Sequence, residues 1–416
     1  MKVEVHMWGK RVGILSDEAQ VGGIAFQYSG LWMESGFNIS PFAIEWNPAV
    51  QWPSGNRTFE GLHGVFADSL PDAWGRALMD EQFRRQGRNP EMVGLLERLA
   101  FVGERGWGAL TYLPDPDSAD RGVLAALDLI AIERSARAAL RGQMSEVIPA
   151  VIESGASTGG ARPKQRIAIS SARPDEIWYG KGLPPKGFDG WILKIETDPG
   201  RQYGRVEAAY YELASLAGLD IPATRLIESG EADGRPTGHF AIKRFDWVGG
   251  NRLHCHTLAG LLGKNWSMGD CDYDEFLRAT LALTGDHRAV GEVFRRMVFN
   301  VWFGVRDDHA KNHAFLAGSG REWTLSPAYD IMFSRPGAGN GLHRQMPVAG
   351  VRRGITQDHI RDIGRRHGLR PAFISETIER IRTAADSWEE IAARIGIGEV
   401  RAREIREAWE PLDAGA

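Results

Sequence analysis

The alternation of apolar and polar positions at the start of the chain predicts strand. Val3, Val5 and Met7 alternate with charged or polar neighbours, and Ile24-Ala25-Phe26 also reads as extended. The stretch Asp68-Ser69-Leu70-Pro71-Asp72 predicts a helix start, with Ser69 as N-cap, Pro71 in the first turn and Asp72 favouring the positive end. A second helix is predicted after Asn89-Pro90-Glu91, and Gly103–Tyr112 reads as a turn into a strand. Pro114-Asp115-Pro116-Asp117-Ser118 reads as a linker. Residues 122–142 follow an amphipathic helical period, and a glycine-rich stretch, Gly155–Ala161, comes next. Strands are predicted at Arg166–Ser170, Glu176–Gly180, Trp191–Glu196, Thr224–Glu228 and His239–Phe245. A helix over Val206–Leu216 is stopped by Gly218. Beyond residue 255 the period is helical almost throughout, apart from an irregular stretch near 326–350 and a short strand at Glu322–Leu325. The expected organisation is α+β. A β-rich N-terminal domain (1–113) precedes a β-rich lobe with one helix (122–246) and a helical lobe (247–416).

Composition narrows the class. With 416 residues and 43% hydrophobic positions there is ample core for two or three domains. Two cysteines, Cys255 and Cys271, cannot build a disulfide framework, which suits a reducing cytosol. No signal-peptide pattern is visible, and no uncharged apolar run reaches the roughly 18 residues of a membrane span, so a cytoplasmic protein without membrane association is expected. A net charge of −4 argues against a surface that coats nucleic acid. Lysine is scarce: nine of the 50 basic residues, leaving 41 arginines (50 − 9). Base composition of the genome accounts for the excess of arginine, but it makes the position of each lysine worth following.

The strongest chemical signal is Arg306-Asp307-Asp308-His309-Ala310-Lys311-Asn312. Asp307 and Asn312 are five apart (312 − 307), the offset of a kinase catalytic loop, in which the Asp accepts the substrate hydroxyl proton and the Asn holds Mg²⁺. Val305 stands where that loop usually carries His. Asp330 follows 18 residues on (330 − 312), after the short strand, where a kinase keeps its metal-binding carboxylate. Asn312, Asp330 and ATP phosphates would suit Mg²⁺, which takes few protein oxygens. The competing reading is a polar helix end capped by Asp and Asn.

Other features are weaker alone. Gly155–Ala161 fails the Walker A pattern, because Ala161 follows Gly160 where Lys is needed, and it lacks G-x-G-x-x-G. It is either a flexible loop or, ahead of strands and a strand Lys, a phosphate-covering loop whose backbone N–H groups approach phosphate closely. Gly155-Ala156-Ser157-Thr158-Gly159 matches G-x-S-x-G literally, but a helix precedes it and a strand follows, the reverse of a nucleophile elbow. Lys194 lies inside an apolar strand, either partnered by Glu207 on the next helix or snorkelling from a sheet edge. His254-Cys255-His256 lacks a second ligand pair at zinc spacing, so a structural role is favoured. Asp307, Asp308, His309 and Asp330 also permit a metal-dependent hydrolase.

Taken in order, several strings resemble one family, the HipA-like serine/threonine kinases, toxins of type II toxin–antitoxin pairs. They are Phe66–Arg76, Gly106–Leu110, Gly159–Lys164, His239–Asp246, Phe299-Asn300, Asp307–Asn312 and Ser326–Asp330, spread over roughly residues 1 to 335. The resemblance implies a bilobal protein-kinase-like fold with an added N-terminal β-rich domain and a helical C-lobe. It implies Asp307 as catalytic base, Asn312 and Asp330 as Mg²⁺ ligands and Lys194 on the ATP phosphates. Gly155, Gly159 and Gly160 would lie in the phosphate loop, adenine would bond backbone near Lys243 and Phe245, and His309 would lie close to the nucleotide. It further implies autophosphorylation at Ser157, with Ser154 and Thr158 as neighbouring acceptors, which would silence the enzyme by placing a dianion where ATP phosphates bind. A HipB-like helix-turn-helix antitoxin, operator DNA bound mainly through it, and a protein-serine substrate, such as one on an aminoacyl-tRNA synthetase, are the implied partners. Arg352, Arg353, Arg361, Arg365, Arg366 and Arg370 would either touch DNA phosphates or form a solvated helix face, the latter being favoured. Besides the hydrolase, a non-catalytic corepressor and a small-molecule kinase stand as alternatives.

Overall fold

The computed structural model describes residues 1–17, 23–53, 57–114, 125–126, 128–156, 160, 162–179, 186–232, 235–248, 250–336 and 341–412. The N-terminal alternation is realised as the strand Lys2–Met7, which buries Val3, Val5 and Met7 completely. It is flanked by Lys10–Ser16 and Leu110–Leu113, and Ala25–Tyr28 completes an antiparallel four-stranded sheet. Phe26, Phe66, Leu99 and Tyr112 fill the core beneath it.

The helix expected to begin within 68–72 starts later, at Ala73, and runs to Arg85. Ser69 does not cap it, because it lies three residues ahead of the N-cap position; its hydroxyl accepts from the buried Tyr112 hydroxyl at 2.7 Å. Asp72 stands at the N-cap position, but its side chain makes no capping bond. Among the described residues of the stretch 122–142, Leu129–Leu140 is helical, capped by Asp128, and a two-residue strand, Ala125–Ala126, precedes it.

The middle of the chain forms a six-stranded antiparallel sheet, edged by Ala125–Ala126 and centred on Lys164–Ser170, Phe188–Lys194 and Arg235–Lys243. The helix Tyr203–Leu216 packs on it through Val206, Tyr210, Tyr211 and Leu213, all essentially buried. Gly218 follows with φ +79°, a left-handed conformation that costs glycine little. The strand expected to reach Phe245 stops at Lys243, where Arg244 turns its guanidinium onto Asp246 and the Gly106 carbonyl.

The last third is helical, as the period predicts, but with a three-stranded sheet inside it. His254–Thr257 pairs with Ala314–Ala317, and that strand pairs with Trp323–Leu325. His254-Cys255-His256 is buried there as structure. His254 bonds the Ile39 carbonyl at 2.8 Å, and His256 bridges Asp68 and Ser40. Gly64 and Gly260 pack backbone to backbone at the same junction, leaving no room for a Cβ on Gly64. These contacts lock the N-terminal sheet region to the helical part. Among the described residues no helix is long and apolar enough to cross a membrane.

Candidate active site

Asp307, Lys194 and Asp330 arrive at one cleft from three elements. Lys194 ends the strand Phe188–Lys194, and its ammonium donates to Glu207 Oε1 at 2.5 Å and to Asp330. The Glu207 side chain is 2% exposed. Burial alone would lower the lysine's pKa, but the Asp330 and Glu207 carboxylates outweigh it and hold Lys194 above its ordinary value, firmly charged. The Asp330 side chain is 32% exposed, and Lys194 and Lys164 hold its carboxyl well below the usual range. Its backbone is left-handed, φ +53°, a conformation that Asp tolerates better than most residues.

Lys164 lies directly across from Lys194 on the adjacent antiparallel strand, so both side chains leave the same face of the sheet. Burial, with Lys194 nearby, depresses its pKa. The cleft therefore holds two buried ammonium groups facing Asp330, of which spacing in the sequence pointed to only one.

The catalytic-type loop follows the long helix His287–Trp302. The Asn312 amide donates to the Asp307 carbonyl at 2.9 Å, which closes the loop on itself. Asp307 presents its carboxyl at the cleft mouth, while its backbone N–H and that of Arg306 both donate to Ser334 Oγ. Burial, with Asp330 and Asp308 adding negative charge, raises the Asp307 pKa to about 6. His309 packs its ring 4.8 Å from that of Trp266, and burial lowers its pKa to about 4, so it is neutral at physiological pH. Asp308 turns the other way. It accepts from the Tyr273 hydroxyl at 2.8 Å and lies 3.5 Å from the buried Arg344, so it is a strut of the loop. Asp307, Asp308, His309 and Asp330 thus do not present a common ligand face. Among the described residues no group of three or more His, Cys, Asp or Glu side chains could hold a metal ion. Asn312 and Asp330 line one small pocket, and their side-chain oxygens fit a cation that completes its shell with phosphate oxygens.

The remaining expected positions fall as follows. Phe245 lies between Trp107 and Tyr329, each ring centroid 5.3 Å away, at the edge between the sheet and the helical part. The Lys243 backbone N–H donates to the Ala223 carbonyl, and its ammonium meets Asp189 at 2.9 Å. Gly155 ends the helix Pro149–Gly155, and Gly160 stands beside Lys164. Ser157, Thr158 and Gly159 lie outside the described residues. Ser154 is buried and hydrogen-bonded to Gln165 and to the Ala150 carbonyl, so it is no acceptor in this arrangement. The arginines near the end are largely engaged. Arg352 bonds three carbonyls, Arg361 meets Gln357, Arg365 meets Asp362 and Arg366 meets Asp274.

Two sets of contacts near the cleft and its loop escape sequence patterning because they join distant segments. Asp72 accepts from the Gly160 N–H at 2.6 Å and pairs with Lys311. Glu410, near the chain's end, accepts from Arg306 at 2.7 and 3.0 Å and bonds His343 at 2.7 Å. Burial would raise the Glu410 pKa, but Arg344 and Arg306 outweigh it and lower it. A carboxylate held below its unfolded value contributes stability above that value and loses it as pH falls through the folded one. Glu410→Gln is therefore expected to cost about 2 kcal/mol at pH 7, since Arg306 and Arg344 are left buried and under-partnered. The gap in unfolding temperature between variant and wild type should close as pH falls toward 3, and a gap independent of pH would rule out the ion-pair account.

Comparison with known proteins settles the family. The HipA-like C-terminal domain matches residues 156–388, more than half of the chain, and the HipA N-terminal domain matches residues 3–113. The chain belongs to the HipA family. A solved HipA from Shewanella oneidensis MR-1, in a complex with HipB and operator DNA, superposes with a TM-score of 0.68 at 18% identity, covering 98% of this chain and 94% of that one. At that identity the likeness shows the HipA fold. Among curated proteins, "Putative kinase Y4dM" of Sinorhizobium fredii is 30% identical over 186 residues, 41% of this chain and 44% of that protein. A Haemophilus influenzae protein named "Putative kinase" is 23% identical over 194 residues, 44% of this chain and 54% of its own length. The chain spans about half the length of the curated relatives it matches.

Proposed function

We propose that this HipA-family chain is an ATP- and Mg²⁺-dependent serine/threonine protein kinase that acts as the toxin of a type II toxin–antitoxin pair. The observation that carries the reading is the charged Lys194 held between Glu207 and Asp330, opposite the closed Asp307–Asn312 loop. A strand lysine fixed by a helix glutamate is the geometry that orients nucleotide phosphates. Lys194, with Lys164 beside it, would neutralise phosphate charge. Asp307, at the mouth of the cleft, would orient the attacking hydroxyl and take its proton. Asn312 and Asp330 would hold Mg²⁺, which supplies electrostatic stabilisation of the transferred phosphoryl group. Phe245, walled by Trp107 and Tyr329, and the neutral His309 would border the nucleotide. Catalysis then rests on positioning and charge neutralisation. The domain division 1–113, 122–246 and 247–416 suits this reading, because it places the cleft between the second and third units.

The kinases named among the relatives and the antitoxin complex of the Shewanella protein support this reading and its HipB-like partner. Ser157, between Gly155 and Gly160, is the proposed site of self-inactivation, and a protein serine is the proposed acceptor. The test is direct. Purified protein with Mg·[γ-³²P]ATP should incorporate label, and phosphopeptide mapping should place it on Ser157. Absence of both nucleotide binding and label transfer would favour the corepressor reading instead.

A further inference from the structure

Asp72 has an unusual set of partners for a residue at a helix start. Its side chain leaves its own helix uncapped and reaches into the cleft region, where one carboxylate oxygen accepts the Gly160 N–H at 2.6 Å and the other meets the Lys311 ammonium. The sequence separations are 88 and 239 residues. Its neighbours repeat the attachment. The Trp74 indole N–H donates to the Lys164 carbonyl at 2.9 Å, and the Trp74 backbone N–H approaches the Gly160 carbonyl at 3.4 Å. Asp72 belongs to the N-terminal HipA domain, Gly160 closes the glycine-rich stretch, and Lys311 sits beside Asn312 in the catalytic-type loop. A single carboxylate therefore joins three segments, two of which carry the groups proposed to handle phosphate. The Asp72 side chain is 19% exposed, as is that of Lys311, so the pair is largely shielded from solvent and from salt screening.

We infer that Asp72 is a positioning residue through which the N-terminal domain holds the Gly160 end of the glycine-rich stretch against the catalytic-type loop. Gly160 has φ +84°, a left-handed conformation that sets the direction of its N–H toward Asp72. A buried charge-assisted hydrogen bond fixes that direction before nucleotide arrives, and nucleotide then need not order it. Trp74 and the Lys164 carbonyl hold the next strand in the same frame, which sets the starting point of the Lys164 side chain. The N-terminal domain thus contributes to the cleft itself. The inference rests on the kinase reading only for what the held loop serves.

The test uses the full chain. In Asp72→Asn, amide hydrogen exchange at the peptide carrying Gly160 should speed up at least tenfold, while the helix Tyr273–Thr284 keeps its protection. Mg·ATP should bind roughly tenfold more weakly, with a smaller change in kcat than in KM. Asp72→Glu should restore most of both. Adding Lys311→Met to Asp72→Asn should change Gly160 exchange by less than twofold, because both remove the same tie. Unchanged Gly160 exchange, tighter nucleotide binding, or faster exchange throughout the chain would each overturn the inference. If wild-type protein binds no nucleotide, the kinase reading fails, but the exchange measurements still decide whether Asp72 holds Gly160.

Discussion

Asp307→Asn should abolish label transfer from ATP, a loss of about 10²–10⁴-fold, which is the usual contribution of a general base. The substitution keeps the side-chain shape and the backbone bonds from Asp307 and Arg306 to Ser334, so the loop should stay closed. Stability should move the other way from activity. The carboxyl sits beside Asp330 and Asp308, and its pKa is raised to about 6. A carboxyl whose folded pKa exceeds its unfolded value binds more protons folded than unfolded between those two values, so its ionisation opposes folding as pH rises from about 4 to 6. The neutral amide escapes that penalty. The variant should therefore unfold at the same temperature as wild type near pH 4 and at an equal or higher one at pH 7. Because Asp307 is at the cleft mouth, water screens much of the effect and the gain is small. The same titration sets the acid limb of the wild-type rate, half-maximal at or below about pH 6. Retained label transfer in Asp307→Asn would sink the assignment of base.

How much of this was readable beforehand depended on the range of each interaction. The Asp307–Asn312 spacing is local, and it marked a loop that closes as expected. Lys194 and Glu207 lie on consecutive elements, and an apolar strand followed by a helix leaves few ways to satisfy a buried ammonium, so that pair could be anticipated as one of two readings. Asp72 stands at the helix start as expected, but its carboxylate goes to Gly160 and Lys311, 88 and 239 residues away, which no local pattern shows. Ser69, expected as the N-cap, lies ahead of the helix and accepts from Tyr112 instead. The sheet joining His254–Thr257 to Ala314–Ala317 spans a long helical segment, and each strand has only four residues, too short for a period to show. Glu410 carried no signal at all, because nothing near it in sequence indicates that Arg306 lies 2.7 Å away.

The lysines give the second large effect. Lys194→Met should reduce ATP turnover by at least 10³-fold, and it should also destabilise the fold by about 3 kcal/mol, because Glu207 remains buried without its counter-ion, while the more exposed Asp330 keeps Lys164 nearby. Lys194→Arg separates the two consequences. It keeps the charge and should recover most of the stability. It replaces a compact ammonium, three donors on a flexible stem, with a wide planar fork, in a space bounded by Glu207, Asp330 and the Phe240 ring 5.8 Å below. The fork cannot meet both carboxylates in that geometry and still offer a point charge to phosphate, so turnover should remain at least 10²-fold down. The scarcity of lysine in this chain makes the comparison pointed. With 41 arginines against nine lysines, an arginine that worked here would be the expected residue. The control is Lys194→Met combined with Glu207→Gln. Removing one stranded carboxylate should return part of the lost unfolding temperature without returning turnover. If Lys194→Arg turns over ATP like wild type, Lys194 is a structural counter-ion only, and phosphate contact must be reassigned to Lys164, which leaves the same face of the sheet.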